Sequence, residues 1–287
     1  MPTLYIVATP IGNLEDISLR ALRVLREVKL IAAEDTRKTR HLLTAYNIKT
    51  PMTSYYEHNK LTKLDYILAS LKEGDVALVS EAGMPGISDP GYELIVAASQ
   101  RGMAVVPVPG PSAVTTALAI SGLPTDRFTY IGFLPHKANA RRRALESVAG
   151  ETGTIIALEA PHRLLAALND ILITLGDRRI AVGRELTKLH EEVFRGTVSG
   201  AIKHFTEPRG EFTLVIEGKG AKGKPQLTED VTRQLHQMYL SGTTTKEAIA
   251  TVTGETGLSR KELYQAWLSL DEVWDREKDS CQNLERS

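Results

Sequence analysis

The sequence contains a single cysteine, Cys281, which lies in a polar carboxyl-terminal tail. One cysteine excludes an intrachain disulfide framework and any cysteine-rich metal site, and such low usage is typical of the reducing cytosol. The seven histidines are scattered without metal-ligand spacing, and the pattern His-Glu-x-x-His is absent. We therefore expect a cytoplasmic protein with no bound metal.

Long apolar runs and net charge are also lacking. No apolar stretch approaches the length of a membrane span, and Met1–Leu4 has no basic segment, so we expect no signal peptide and no membrane partner. Lys plus Arg and Asp plus Glu number 35 each, which gives a net charge of zero. The chain as a whole is not attracted to nucleic acid, so any RNA contact must use a local basic patch.

The common nucleotide and hydrolase motifs are missing. There is no Gly-x-Gly-x-x-Gly after a strand, no Gly-x-x-x-x-Gly-Lys-Ser/Thr and no Gly-x-Ser-x-Gly. These absences disfavour a Rossmann dehydrogenase, a P-loop NTPase and an enzyme with a nucleophile elbow. Hydrophobic residues make up 42 % of the 287 residues, enough to build the cores of two or three domains.

What the sequence does contain is a set of buried strands that end in loops rich in glycine and proline. The strand pattern Val76–Val79 gives way to Ser80–Gly91, in which five of twelve residues are Gly or Pro. The pattern recurs where Leu4–Ala8 leads into Thr9–Asn13 and where Val105–Val108 leads into Pro109–Ser112. Open α/β sheets bind ligands at the carboxyl ends of their strands, and glycine lets the main chain approach a ligand closely. Tight turns alone would explain any single loop, but three of them favour a binding crevice.

Strands and helices alternate along the first half of the chain. The helical spacings cover about 17–28, Thr39–Tyr46, Leu61–Leu71, Tyr92–Arg101 and Ala113–Ile120, and Leu30–Ala33 is a further strand. After Ser121–Pro124 the strands are Phe128–Phe133, Thr154–Leu158, Ile180–Val182 and Phe212–Glu217, with helices over Ala140–Val148 and Leu164–Leu175. This alternation predicts two α/β domains, at 1–115 and 116–220.

The remaining segment, 221–287, is predicted to be a linker and a small helical unit. Gly218–Pro225 has the composition of a linker. Two capping boxes, Thr244 with Glu247 and Ser259 with Glu262, flank a turn at Gly254–Gly257. Both a helix-turn-helix and an ordinary pair of packed helices fit this pattern.

Two loop residues precede predicted helices and have the chemistry of helix caps. Asp89 is followed by Pro90, and Ser112 begins the helix after the Val105 strand. Because both helices start at the carboxyl ends of strands, we expect their free amide groups to face one crevice, where a carboxylate or phosphate would bind.

Several contiguous motifs together resemble one known family. They are Val7–Asn13, Ala33–Arg37, Ser80–Gly91, Val108–Ala113, Glu159–Arg163 and Gly183–Leu186. These stretches are similar to the tetrapyrrole-methylase superfamily, more narrowly to its ribosomal RNA branch, over about residues 1–220 plus the small helical unit. The resemblance implies two α/β domains with S-adenosylmethionine in the cleft between them. It also implies 2′-O-methylation of a cytidine ribose in small-subunit rRNA, with the ribosomal subunit as partner, and a homodimer.

The resemblance also assigns cofactor positions. The residues at matching positions are Pro10, Gly12, Gly83, Met84, Gly86, Ile87, Ser88, Ser112, Ala113, Leu158, Leu186, Thr213 and Leu214. The tetrapyrrole enzymes have a Gly-Asp-Pro loop where this chain has Gly83-Met84, so contacts from the main chain are expected there.

A ribose hydroxyl is a weak nucleophile, so a base or a positive environment should assist the transfer. From the charged residues at loop ends we predict that Glu81 or Glu159 assists deprotonation. RNA phosphates would be bound by Arg37, Arg163 and Arg184 and by the basic run Arg141, Arg142 and Arg143. Structural roles compete with these assignments, since Glu34-Asp35 could cap the following helix and His162-Arg163 could be surface residues at a helix start.

Two other functions stay open on the sequence alone. One is a tetrapyrrole methyltransferase of the precorrin or uroporphyrinogen type, against which the missing Gly-Asp-Pro and the arginine run count. The other is a DNA-binding regulator whose α/β body senses a ligand, against which the balanced charge counts. The modified nucleotide and the identity of a general base are not fixed by the sequence.

Overall fold

The computed structural model describes residues 2–56, 59–220, 227 and 229–269. It divides into two compact units, Met1–Lys219 and Gly220–Ser287. The predicted linker Gly218–Pro225 lies largely, and Cys281 wholly, outside the described residues.

The first sheet of the larger unit has five parallel strands in the order β3-β2-β4-β1-β5. Its strands are β1 (Thr3–Val7), β2 (Leu30–Ala33), β3 (Met52–Ser54), β4 (Val76–Val79) and β5 (Ala104–Val108). Its helices are α1 (Leu19–Glu27), α2 (Thr36–Ala45), α3 (Lys60–Glu73), α4 (Tyr92–Gln100) and α5 (Ala113–Ile120). The central strands β2 and β4 are buried at every position, as expected of a parallel sheet covered on both faces.

The second sheet has the order β6-β7-β10-β8-β9, in which β6 and β7 are parallel and the other pairs antiparallel. Its strands are β6 (Phe128–Phe133), β7 (Thr154–Glu159), β8 (Arg179–Arg184), β9 (Glu192–Thr197) and β10 (Phe212–Ile216). Its helices are α6 (Ala138–Ser147), α7 (Leu164–Leu175) and α8 (Val198–His204). The predicted α/β class with two such sheets is confirmed, whereas the domain boundary at 115/116 stays a prediction.

A shared core holds the two sheets together. Ile11, from the loop after β1, belongs to the same buried cluster as Ala117 of α5 and as Ile156 and Val215 of the second sheet. Helix α5 therefore packs against the second sheet although it follows a strand of the first. This arrangement places the loops at the carboxyl ends of β1, β4 and β5 opposite the second sheet.

The smaller unit is helical, as predicted. It contains α9 (Glu229–Leu240), α10 (Thr245–Thr256) and a helix over residues 260–269, around a core that includes Leu235 and Trp267. The hydroxyl of Ser259 accepts from the Glu262 amide at 3.2 Å, while the Glu262 carboxylate accepts from the Ser259 amide at 3.2 Å, which confirms that capping box. The Thr244 hydroxyl likewise accepts from the Glu247 amide.

No helix in the described part of the chain is both long enough and apolar enough to cross a membrane. The same residues contain no group of three or more His, Cys, Asp or Glu side chains placed to hold a metal ion.

Candidate active site between the two sheets

A cavity of about 410 Å³ lies between the two sheets. Its first wall comes from the loops after β1, β2, β4 and β5, and its second wall from β6, the end of β7, the turn after β8 and the start of β10. The lining residues are Ile11, Glu34, Glu81, Ala82, Gly83, Met84, Ile87, Ser88, Asp89, Ser112, Ala113, Val114, Tyr130, Phe133, Leu158, Glu159, Ala160, Pro161, Leu186, Glu211, Phe212 and Thr213. A volume of this size lies within the range of pockets that enclose a small molecule, roughly 300–1,000 Å³.

The loop Ser80–Gly91 owes its path to residues in the left-handed region. Positive φ angles occur at Gly83 (82°), Gly86 (80°), Ser88 (66°) and Gly91 (152°). Gly83 also exchanges two main-chain hydrogen bonds with Thr9, at 2.9 and 3.0 Å, which tie the loop after β4 to the loop after β1. Gly83 therefore allows the loops after β1 and β4 to lie close together at the cavity wall.

The prediction that Asp89 caps α4 is wrong. The helix begins at Tyr92, and Gly91 is its N-cap. A β-carbon at Gly91 would lie 3.0 Å from Leu78 and 3.1 Å from the Gly86 amide, so this position requires glycine in addition to its positive φ. The helix starts at Tyr92, as its apolar spacing predicts, but its N-cap lies two residues beyond Asp89, and Asp89 lines the cavity instead.

Two other positions, Ser112 and the Glu34-Asp35 pair, were predicted as helix caps, and both lie at helix starts. Ser112 is the N-cap of α5, as predicted, but its side chain makes no capping hydrogen bond. Asp35 caps α2 by accepting from the amides of Arg37 and Lys38, which is the structural role anticipated for the Glu34-Asp35 pair.

Carboxylates dominate the charged lining of the cavity. Among the residues that the structure describes, no Lys, Arg or His lines the cavity. The acidic residues that line it are Glu34, Glu81, Asp89, Glu159 and Glu211. Three of the five are paired with a cation behind the wall. Glu81 pairs with Lys38, Glu159 with Arg163 at 2.5 Å, and Glu211 with Lys188 at 2.9 Å.

Glu34 and Asp89 have no such ion pair within the described residues. Burial, and to a smaller extent the charge of Glu34, raise the pKa of Asp89 to about 7, although a hydrogen bond from Ser80 opposes part of the shift. The pKa of Glu34 is also raised, chiefly by burial, although the charge of Lys38 opposes the shift. Two partly desolvated carboxyl groups in one cavity favour a cationic ligand, because a positive charge would stabilise both in their ionised form.

Nine of the thirteen predicted cofactor residues line the cavity. They are Gly83, Met84, Ile87, Ser88, Ser112, Ala113, Leu158, Leu186 and Thr213. Both predicted catalytic carboxylates, Glu81 and Glu159, line it too.

The other four predicted cofactor residues lie behind or beside the wall. Pro10 lines a smaller neighbouring cavity of about 90 Å³. Gly12 packs against the turn after β8, where a β-carbon would lie 2.4 Å from Cγ of Lys188. Gly86 packs against Gly91, and Leu214 belongs to the core on the far face of the second sheet. These four residues pack behind or beside the residues that line the cavity.

The predicted phosphate-binding arginines differ in availability. The side chain of Arg37 is 91 % exposed, although its guanidinium pairs with Asp35 at 3.1 Å. Arg163 pairs with the cavity residue Glu159, and Arg184 pairs with Glu192 at 3.1 Å, so both guanidinium groups have structural partners.

The basic run in α6 needs a correction. Arg141 is only 5 % exposed and forms a buried ion pair with Asp170 at 2.6 Å. Asp170 also binds Arg142, whose side chain is 46 % exposed, while Arg143 is exposed. Arg141 is therefore a structural residue, because its guanidinium is committed to a buried carboxylate, and it presents no free charge to a phosphate.

Sequence reasoning missed several cavity residues, notably Asp89, Tyr130, Phe133 and Glu211. Tyr130 and Phe133 lie on β6, where the register with β7 shifts between them, and Gly132 has a φ of 68°. Such a bulge re-aims side chains, and bulges are frequent beside active sites. Gly132 in the interior of this strand is a signal in the sequence for the bulge.

The comparisons with known proteins agree with this architecture. A family described as "Tetrapyrrole (Corrin/Porphyrin) Methylases" matches residues 3–201. The chain belongs to the tetrapyrrole methylase family. Within the family it groups with proteins named "Ribosomal RNA small subunit methyltransferase I". The protein of that name from Halalkalibacterium halodurans is 47 % identical over 272 residues, which cover 92 % of this chain and 94 % of the relative. That from Thermotoga maritima is 54 % identical over 222 residues, which cover 76 % of this chain and 100 % of the relative.

Solved structures of the family share the fold. A uroporphyrin-III-C-methyltransferase from Thermus thermophilus has a TM-score of 0.52 at 19 % identity and covers 76 % of this chain and 94 % of its own. The native form of that enzyme gives 0.55 at 17 % identity, with 75 % and 97 % covered. At this identity the likeness concerns the fold alone.

Membership of this tetrapyrrole methylase family makes the chain a methyltransferase whose methyl donor is S-adenosylmethionine. The cavity fits that molecule. Its acidic lining suits a sulfonium and an ammonium group, and apolar side chains such as Ile11, Met84 and Leu186 offer surface for a nucleoside.

Proposed function

We propose that this tetrapyrrole methylase transfers the methyl group of S-adenosylmethionine to the 2′-hydroxyl of a cytidine ribose in small-subunit (16S) rRNA, with the ribosomal subunit as its substrate. The observation that carries the proposal is the match along 92 % of the chain to a relative named for small-subunit rRNA methylation. The proposal includes a homodimer that works in the cytoplasm. The nine predicted cofactor residues that line the cavity are proposed to hold the donor.

The donor, when bound, supplies a methyl group on a positively charged sulfur and its own leaving group. The protein must align the acceptor hydroxyl, exclude water and accept a proton. We propose that a carboxylate of the cavity takes this proton. Glu81 and Glu159 each have a cationic partner, Lys38 and Arg163, that occupies the carboxylate. Asp89 has none among the described residues and is poised near neutral pH, so it joins them as the strongest candidate.

The charges in and around the cavity also constrain how RNA binds. An acidic lining repels phosphate groups, so only the nucleoside part of the target nucleotide is expected to enter. The flanking phosphates would stay outside, on exposed cations such as Arg37, Arg142 and Arg143. Contacts of this kind position the RNA without reading its sequence.

The test is to map the modifications of small-subunit rRNA by mass spectrometry in cells that lack the protein. We expect one cytidine to lose 14 mass units at its ribose (the difference between methyl and hydrogen), and we expect the wild-type gene to restore them. An rRNA with unchanged methylation would contradict the proposal. Transfer of a methyl group to a uroporphyrinogen by the purified protein would instead support the tetrapyrrole alternative.

A further inference from the structure

Two backbone distortions on opposite walls of the cavity meet at one hydrogen bond. On the first wall, Ser88 is exposed and has a φ of 66°, which is uncommon for a residue other than glycine. On the second wall, the bulge in β6 includes Tyr130 and Gly132. The hydroxyl oxygens of Ser88 and Tyr130 lie 2.7 Å apart and join the two walls. A β-carbon at Gly132 would lie 3.2 Å from the Ser88 hydroxyl oxygen, so the glycine keeps this contact open.

Tyr130 is held firmly at its ring end. The half-buried ring packs against the cluster that joins the two sheets, which includes Ile11, Leu186 and Val215. Burial raises the pKa of Tyr130, so its hydroxyl keeps its proton at neutral pH. The hydroxyl therefore has a fixed position and a defined protonation state at the cavity surface.

The Tyr130 hydroxyl can form further hydrogen bonds besides the one with Ser88. A phenol oxygen donates one hydrogen bond and has lone pairs to accept others, and the contact with Ser88 accounts for one hydrogen bond, in which either hydroxyl can be the donor. Strained backbone persists where surrounding structure imposes it and is concentrated at ligand sites. Here a serine with a positive φ and a bulged strand converge on one hydroxyl beside the cavity carboxylates.

We propose that the Tyr130 hydroxyl contacts the acceptor hydroxyl and orients its lone pair toward the methyl group. As the bond between the acceptor oxygen and the methyl carbon forms, the methyl–sulfur bond breaks and its electron pair passes to sulfur. The proton of the acceptor hydroxyl passes to a cavity carboxylate, for which Asp89 is the candidate. Tyr130 is a catalytic residue in this account, and its acceptor rests on the proposed function.

Two variants separate this role from simple bracing. Tyr130→Phe and Ser88→Ala each delete the same hydrogen bond, from opposite ends. If the hydrogen bond between Ser88 and Tyr130 only holds the two walls together, its loss affects both variants equally. Loss of a contact with the acceptor affects only Tyr130→Phe. The measurements are kcat and KM on isolated small subunits that lack the modification, the affinity for S-adenosylmethionine by calorimetry, and the unfolding temperature.

We expect Tyr130→Phe to lower kcat at least about tenfold more than Ser88→Ala does, as the loss of one hydrogen bond in the transition state would. Tyr130→Phe should bind the donor within about twofold of the wild type, and the two single variants should have similar unfolding temperatures. The double variant should match Tyr130→Phe. Equal kcat losses in the two single variants would overturn the proposal, as would a Tyr130→Phe effect confined to donor affinity. Absence of turnover in the wild type would instead refute the proposed function, which keeps the two failures apart.

Discussion

Asp89 should make the affinity for S-adenosylmethionine depend on pH. Its pKa is about 7 in the free protein, and the positive charge of the donor favours the ionised carboxylate. The ionised fraction is about one half at pH 7, about one in eleven at pH 6 and about one in thirty at pH 5.5. If the bound donor keeps Asp89 ionised throughout, the dissociation constant should rise about fivefold from pH 7 to pH 6 and about sixteenfold from pH 7 to pH 5.5.

Calorimetry measures this directly. The measurements stay at or below pH 7. An α-ammonium group such as that of the donor titrates at about pH 7.7–8.0, and the loss of its charge above pH 7 would weaken binding while the ionisation of Asp89 strengthens it. At pH 7 the wild type should release about half a proton on binding, which is visible when buffers of different ionisation enthalpy are compared. Asp89→Asn should bind more weakly at pH 7, with little pH dependence and almost no proton release.

Glu34→Gln is the matched control. It removes a charge that raises the pKa of Asp89, so the pH dependence should persist but move to lower pH. An equal slope in the wild type and in Asp89→Asn would refute the reasoning. So would a wild-type affinity that rises as the pH falls.

The same pKa has a consequence for stability. Because the folded-state pKa of Asp89 lies above the ordinary value of 3.8, the folded protein binds more protons than the unfolded chain between about pH 4 and pH 7. The free energy of unfolding therefore loses a contribution as the pH rises through this window. Asp89→Asn should unfold at a higher temperature than the wild type at pH 7.5 and at a similar temperature at pH 4. A variant less stable than the wild type at pH 7.5 would show that Asp89 is held by favourable contacts instead.

Further variants test the arginine run and the contact between the walls. Arg141→Ala should destabilise the fold by about 3 kcal/mol in urea unfolding, because it removes the buried partner of Asp170 Oδ2 and leaves only Arg142 on the other oxygen, and a loss below about 1 kcal/mol would contradict the buried pair. Arg142→Ala with Arg143→Ala should leave stability within about 1 kcal/mol and reduce the salt slope of binding to small subunits by up to about two, whereas an unaltered slope would remove this patch from the RNA surface. Gly12→Ala should weaken donor binding several-fold by pushing apart the turns behind the cavity, while Gly150→Ala, which has open space around its β-carbon, should bind like the wild type. Equal donor affinity in Gly12→Ala and Gly150→Ala would show that the turns behind the cavity accommodate the added methyl group without affecting the donor site.

The elements that the sequence predicted well are the buried ones. The strands Leu30–Ala33 and Val76–Val79, which are buried at every position, have the predicted bounds, since continuous apolar runs leave few alternatives. The sequence analysis missed β3 and β9. Strand β3 has only three half-buried residues, and β9 is an edge strand with exposed polar positions, so neither carries the pattern of a buried strand.

The part of the site that the sequence predicted is the part formed by loops rich in glycine and proline. Gly83 and Ser112 fell in such loops and line the cavity. Asp89 was assigned as an N-cap because Asp-Pro is a common helix start, but the N-cap is Gly91, where a β-carbon would lie 3.0 Å from Leu78, and Asp89 lines the cavity. The burial of Arg141 depends on Asp170 in another helix, a tertiary pairing that no local pattern reveals.

The account rests on the claim that the acid-lined cavity between the two sheets methylates a ribose. The most direct test incubates the purified protein with labelled S-adenosylmethionine and small subunits that lack the modification, and then digests the rRNA to nucleosides. We predict that the label appears in 2′-O-methylcytidine, close to one per subunit, and that Asp89→Asn lowers its rate of appearance. Label in a base-methylated nucleoside, or none from a wild-type protein that binds the donor, would contradict the claim.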